Sequence, residues 1–255
     1  MSKDRLKRKI NMGMNDMVRF VRQMSGKLGS NIYAGLQPQT NAQQISFIRQ
    51  LQKEMKQKNS LDCPLNELPV IVFDLETTGF FPEKGDKVIS IGAIKMTGSK
   101  IHEKDVFYSL VKTDTSIPIE ISKLTNIDNG ELEGAPEAKD VLIDFFNFIG
   151  SSILVAHHAK HEQAFMKKIS LEQLRVSFEH RIIDTSFLVR LTNPVFHPLP
   201  LEQLCNDCGI EVTDRHHALA DAKMAAQIWA FFLKKAQHQG YNNLREVYEY
   251  LSRQR

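Results

Sequence analysis

Two acidic residues placed two apart at the end of an apolar run are the first side chains in this 255-residue sequence that could do chemistry. Residues 70–81 read VIVFDLETTGFF, so Asp74 and Glu76 follow a run of β-branched and aromatic residues. Such a run reads as a buried strand. Residues two apart on a strand share a face, which puts the two carboxyl groups side by side, roughly 7 Å apart along the strand. Two acids at the end of a buried strand repel each other and lose solvation, and a divalent cation would relieve both costs. Thr77, Thr78 and Gly79 come next, small residues that let a ligand approach the backbone. The alternative for this stretch taken alone is a strand running into a polar turn, with both acids solvated.

A third carboxylate lies far along the chain. Ala218, Ala222, Ala225, Trp229 and Phe232 recur at helical spacing, and Asp221 falls on the same face. An acid aimed at a core is costly unless it is paired or holds a metal. The alanines allow that helix to approach a sheet closely. Upstream, Arg215, His216 and His217 read as a loop entering the helix, and His216 in that loop can reach the same cavity as Asp221. One of the two histidines is expected to be an ordinary loop residue.

The third signal is LVAHHAKHEQAFM at 154–166. A short strand ends at Ala156, and Glu162, Phe165, Met166 and Ile169 share a helical face, so another carboxylate points inward at a helix start. His157, His158 and His161 invite a zinc reading, but the spacing is not H-E-x-x-H and no further ligand set is evident.

The elements that must position these residues follow from periodicity. Strands are expected at 70–76, 87–96, 106–111, 153–156 and 182–183, with a hairpin turn at 97–99. Helices are expected at 118–124, 136–149, 160–169, 184–191, 200–205, 218–235 and 243–251. Antiparallel strands followed by alternating helices and strands argue for an α/β fold, a mixed β-sheet flanked by helices. Ahead of it, residues 1–28 and 41–58 look helical, separated by a turn-rich break at 29–40.

Together these motifs resemble the DnaQ-like (DEDDh) 3′–5′ exonucleases of the RNase H-like superfamily, of the proofreading epsilon type. The resemblance covers residues 68–235. VFDLETTGF matches the family's first motif on Asp74 and Glu76, and RHHALADA matches H-x-A-x-x-D on His216 and Asp221. The middle motif departs from the usual H-N-A-x-F-D. His158 stands for asparagine, His161 for phenylalanine and Glu162 for aspartate.

The resemblance implies two divalent cations, Mg²⁺ or Mn²⁺, about 4 Å apart, held by Asp74, Glu76, Glu162 and Asp221. It makes His216 the general base, a residue type suited to that work near neutral pH. Thr77 and Thr78 would contact the 3′-terminal nucleotide. The expected product is a nucleoside 5′-monophosphate, released from a single-stranded or frayed 3′ end, on DNA in the first instance. A weakened nucleic-acid- or polymerase-binding module and an RNA- or oligoribonucleotide-trimming enzyme are the alternatives.

Composition sets the context. The net charge of +3 hides an asymmetry: residues 1–60 carry 12 Lys and Arg against 3 Asp and Glu, and the remainder 21 against 27. The division expected is a basic helical N-terminal extension over 1–65, the exonuclease domain over 66–238 and a C-terminal packing helix over 239–255. A basic arm suits a polyanion, a polymerase or another protein partner. No run approaches 18 apolar residues, and three sparse cysteines suit a reducing cytoplasm. Cys205 and Cys208 read as small packing residues at a helix end before Gly209.

Overall fold

A computed structural model describes residues 41–57, 59–192 and 199–254. The helix expected at 1–28 and the break at 29–40 lie outside them. Ile45–Arg255 form one compact unit.

Five strands form one sheet in the order β3-β2-β1-β4-β5. They are β1 (Pro69–Thr77), β2 (Val88–Thr97), β3 (Lys100–Leu110), β4 (Ile153–Ala156) and β5 (Ile182–Asp184). β1, β2 and β3 pair antiparallel in sequence, while β4 pairs parallel with both β1 and β5. The sheet is therefore mixed, as the element order requires. The helices are α1 (Asn41–Gln57), α2 (Ile119–Thr125), α3 (Asn129–Glu133), α4 (Ala138–Ile149), α5 (Lys160–Leu174), α6 (Ser186–Val189), α7 (Leu201–Cys208), α8 (Ala218–His238) and α9 (Leu244–Ser252).

The alternation of β1 sorts its side chains between two cores. Val70 and Val72 join Ile94, Leu204, Ala225, Trp229 and Leu233 on the α8 face. Ile71, Phe73 and Leu75 join Phe145, Phe146, Phe165 and Met166 on the α4–α5 face. By the same alternation Asp74 and Glu76 fall on the α8 side of the strand. Leu244 and Val247 of α9 belong to the first core, and Ile48 of α1 to the second.

The close approach of α8 depends on one residue of β2. Gly92 pairs with Asp74 across the sheet. A Cβ at Gly92 would lie 2.2 Å from the Leu219 nitrogen and 2.3 Å from the Ala218 carbonyl carbon. Those are backbone atoms of the first turn of α8, which cannot rotate away. Glycine here lets the helix start rest directly on the strand beside the acids. Gly92→Ala should therefore cost about 1–3 kcal/mol in urea unfolding, the usual penalty of overpacking. An unchanged midpoint would mean that α8 can ride outward freely.

Several expected boundaries shift. β3 starts at Lys100 rather than near Val106, because its first half is a charged edge segment with little apolar signal. The helix expected at 184–191 is only Ser186–Val189, since Asp184 closes β5. α5 runs on to Leu174, and α3 is a further short helix set by a capping box between Asp128 and Glu131. Cys205 is buried and Cys208 ends α7 before Gly209, which takes the left-handed cap at φ 67°.

Candidate metal and active site

β1 and α8 bring three acids together. Asp74, Glu76 and Asp221 each offer a carboxylate oxygen within 4.8 Å of the others. Glu76 is 8% exposed and Asp221 5%, while Asp74 keeps some exposure. Asp221 lies in the first turn of α8 and its backbone is held by His217. The pairing of β1 with β2 shifts register between Glu76 and Thr77, where Ile89 of β2 is the extra, unpaired residue.

Glu162 stands outside this group of three but belongs to its field. It lies in the first turn of α5, 3% exposed. Among the described residues its Oε2 is buried with no hydrogen-bond partner, and so is Oδ1 of Asp221. An orphaned carboxylate oxygen in a protein interior is costly, and a ligated cation removes the cost.

The electrostatics point the same way. Burial first, then the charges of Glu76, Glu162 and Asp221, hold the Asp74 carboxyl well above its ordinary range. Burial, with the Asp221 charge added, lifts Glu76 to about 8. Burial likewise lifts Glu162 to about 8, with Asp184 and Glu76 contributing. Burial raises Asp221 too, against the pull of Arg215. The oxygen-only donor set, its excess negative charge and its two orphaned atoms fit hard divalent cations such as Mg²⁺ or Mn²⁺. They do not fit the zinc pattern of imidazoles and thiolates.

The histidines separate by environment. His157 is buried just past the end of β4, its Nδ1 at 2.9 Å from the Thr185 hydroxyl and its Nε2 at 3.0 Å from the Leu199 carbonyl. Burial, and then His158, push its pKa down to about 4, as befits a neutral packing residue. His158 takes a left-handed backbone, φ 60°, and faces outward. That is a conformation asparagine accepts readily, which accounts for the family's usual residue there. His161 lies with its Nε2 3.5 Å from the Thr77 hydroxyl, between Phe165 and Phe80.

Of the pair before α8, His217 caps the helix, its Nδ1 accepting from the Ala220 N–H, and stacks on Tyr108 at 4.5 Å. His216 sits in the turn at φ 62°, and its N–H donates to Oδ2 of Asp221 at 3.3 Å. His217 therefore has a structural task, while His216 meets Asp221 through its backbone N–H.

The two threonines differ. The Thr77 hydroxyl donates to the Gly79 carbonyl and borders His161. Thr78 is buried, and its hydroxyl accepts from the Lys87 N–H at 2.9 Å. Its side chain closes a loop rather than facing the cleft. Beyond them Phe80 is 76% exposed at the rim.

Sequence reading missed two groups. Asp184 accepts from the N–H groups of Ala159 and Ser186, fixing the turn that launches α5 and Glu162. Arg215 bonds Asp221 directly. Only its place next to His216 could have drawn attention to it.

Known proteins agree with this architecture. The chain matches the RNase T exonuclease family over residues 71–229. It is 37% identical over 165 residues to the PolC-type DNA polymerase III of Clostridium perfringens, covering 65% of this chain but 11% of that protein. The chain therefore spans about a tenth of that relative's length. It is 34% identical over 165 residues to the DNA polymerase III subunit epsilon of Aquifex aeolicus, covering 65% of this chain and 80% of that one. The nuclease domain of 3′hExo, a DEDDh family member bound to rAMP, superposes with a TM-score of 0.53 at 20% identity, over 69% of this chain and 96% of that one. The chain belongs to the RNase T exonuclease family, in the DnaQ-like group with the RNase H-like fold.

Proposed function

We propose that this chain is a 3′–5′ exonuclease that uses divalent cations to hydrolyse DNA from its 3′ end, releasing nucleoside 5′-monophosphates. The observation that carries the reading is the buried cluster of Asp74, Glu76 and Asp221, with Glu162 beside it. Asp74, Glu76, Glu162 and Asp221 would hold Mg²⁺ or Mn²⁺. Such ions, when bound, polarise the scissile phosphate and lower the pKa of a water nucleophile. His216, in the turn that precedes Asp221, would take the proton from the attacking water on its imidazole. Thr77 and the backbone at Thr78 and Gly79 would border the terminal sugar. Phe80 offers an exposed ring on which a base can stack. None of these groups reads base edges, so end geometry and sugar contacts would set preference.

The 34% identical epsilon subunit supports DNA as substrate and a proofreading or repair setting. The same likeness supports a polymerase as partner, and the charge of residues 1–60, 12 Lys and Arg against 3 Asp and Glu, makes them the proposed contact. Among the described residues no helix is long and apolar enough to cross a membrane.

The test is digestion of 5′-labelled DNA and RNA of one sequence with Mg²⁺ or Mn²⁺. A ladder shrinking from the 3′ end, with mononucleotide product and DNA preferred, is expected. Equal product from an Asp74→Ala protein would remove the assignment.

A further inference from the structure

The reading above gives Arg215 no task, yet its guanidinium grips the site. One of its terminal nitrogens bonds Oδ2 of Asp221, and its Nε donates to Oε1 of Glu202 on α7 at 3.1 Å. The N–H of His216 reaches the same Oδ2. Two donors thus converge on one oxygen of Asp221, while Oδ1 is buried and has no hydrogen-bond partner among the described residues. A carboxylate held by one oxygen keeps the other in a fixed direction, and charge-assisted bonds do this best.

The backbone around the arginine is set for the purpose. Asp214 at φ 43° and His216 at φ 62° both lie in the left-handed region, on either side of Arg215. Non-glycine residues pay for that conformation, and such strain persists where neighbours over-determine it. Here the turn aims Arg215 inward between α7 and α8. Its side chain is 21% exposed, against 54% for Glu202 and 7% for Asp221. The three groups therefore form a line from surface to site.

We propose that Arg215 is a positioning residue for cation binding: it holds Oδ2 of Asp221 so that Oδ1 is presented as the ligand, and Glu202 holds the arginine from behind. The proposal rests on reading Asp74, Glu76 and Asp221 as a divalent-cation site. A guanidinium also brings positive charge near the ion, which opposes binding. Partners that orient metal ligands commonly account for 10–100-fold in affinity, so orientation is expected to win over that repulsion. Lysine keeps the charge but loses the planar fork.

The experiment is Mn²⁺ titration of the full chain, followed by the electron paramagnetic resonance signal of the free ion, with thermal unfolding measured alongside. Arg215→Gln should weaken Mn²⁺ binding about tenfold or more. Arg215→Lys should recover part of the loss, and Glu202→Gln should weaken binding severalfold from the exposed end of the line. Glu202→Gln keeps the proposal open to refutation if Arg215→Gln folds poorly. A purely structural arginine would lower the unfolding temperature and leave the Mn²⁺ dissociation constant alone, which would overturn the proposal. Tighter binding by Arg215→Gln would overturn it as well, by showing that the guanidinium competes with the ion. Failure of the wild-type chain to bind Mn²⁺ would instead remove the cation-site reading underneath it. Wild-type binding that is lost in Asp221→Asn but intact in Arg215→Gln would sink Arg215's role alone.

Discussion

Asp74→Asn is expected to remove turnover and, in the absence of metal, to make the protein more stable. The two effects have one cause. Asp74 lies where burial and three neighbouring carboxylates all oppose its ionisation. Asparagine keeps the shape and removes the charge, so Glu76 and Asp221 no longer face it. Losing a central ligand of the proposed cation site should lower kcat by roughly a thousandfold or more, since groups that act as a unit fail together. Relief of buried like charges should raise the unfolding free energy of the metal-free chain by about 1–3 kcal/mol. Mg²⁺ should stabilise the wild type and leave Asp74→Asn almost unmoved. Calorimetry of both proteins with EDTA and with Mg²⁺ would show this. A variant that is less stable than wild type in EDTA would mean that Asp74 is held by favourable contacts and not by strain.

Such a trade between stability and function explains why the site could be read from sequence at all. Asp74 and Glu76 break the apolar pattern of β1, and Asp221 breaks the apolar stripe of α8. Local rules fail at these positions because the chemistry needs acids where packing wants hydrocarbon. The strand and helix periods then fix which way each points, and the two faces of β1 do place Val70 and Val72 in the core shared with α8. What periodicity cannot show is the work of a residue outside a regular element. Arg215 lies in a turn with two left-handed neighbours, so no repeat governs its direction. The family resemblance puts Thr78 at the terminal nucleotide, whereas its side chain is buried and its hydroxyl accepts from the Lys87 N–H. The start of β3 was hidden for a related reason. An edge strand protected by Lys100, Glu103, Lys104 and Asp105 carries little apolar signal to detect.

The metal-free chain should lose stability as the pH rises from 6.5 to 8, and Mg²⁺ should abolish most of that loss. Two sets of groups pull in opposite directions. His157, His161 and His180 all have lowered pKa values, chiefly through burial. Their contribution is complete above the ordinary 6.5 and is lost as the pH falls below it, because the unfolded chain takes up the protons first. Glu76 and Glu162 are the reverse, raised from 4.5 to about 8. Their contribution is complete below 4.5 and is lost as the pH rises through about 8, because the unfolded chain ionises while the folded one resists. Between 4.5 and 6.5 the two sets oppose each other. Above 6.5 the remaining protons leave the unfolded histidines within about one pH unit, a small opposing gain, and the carboxyl groups dominate. Over that interval each glutamate costs about 2 kcal/mol, at roughly 1.4 kcal/mol per pH unit. The two interact, so their costs do not simply add, and together they lower the melting temperature by several degrees in a domain of this size. A bound cation takes the place of the protons, and at a hundred times its Kd it returns about 2.7 kcal/mol. Melting curves at pH 6.5 and 8 with EDTA, repeated with Mg²⁺, decide the matter. A flat EDTA profile would mean that Glu76 and Glu162 ionise freely in the fold. The buried acids would then be paired within the protein and would not be waiting for a metal.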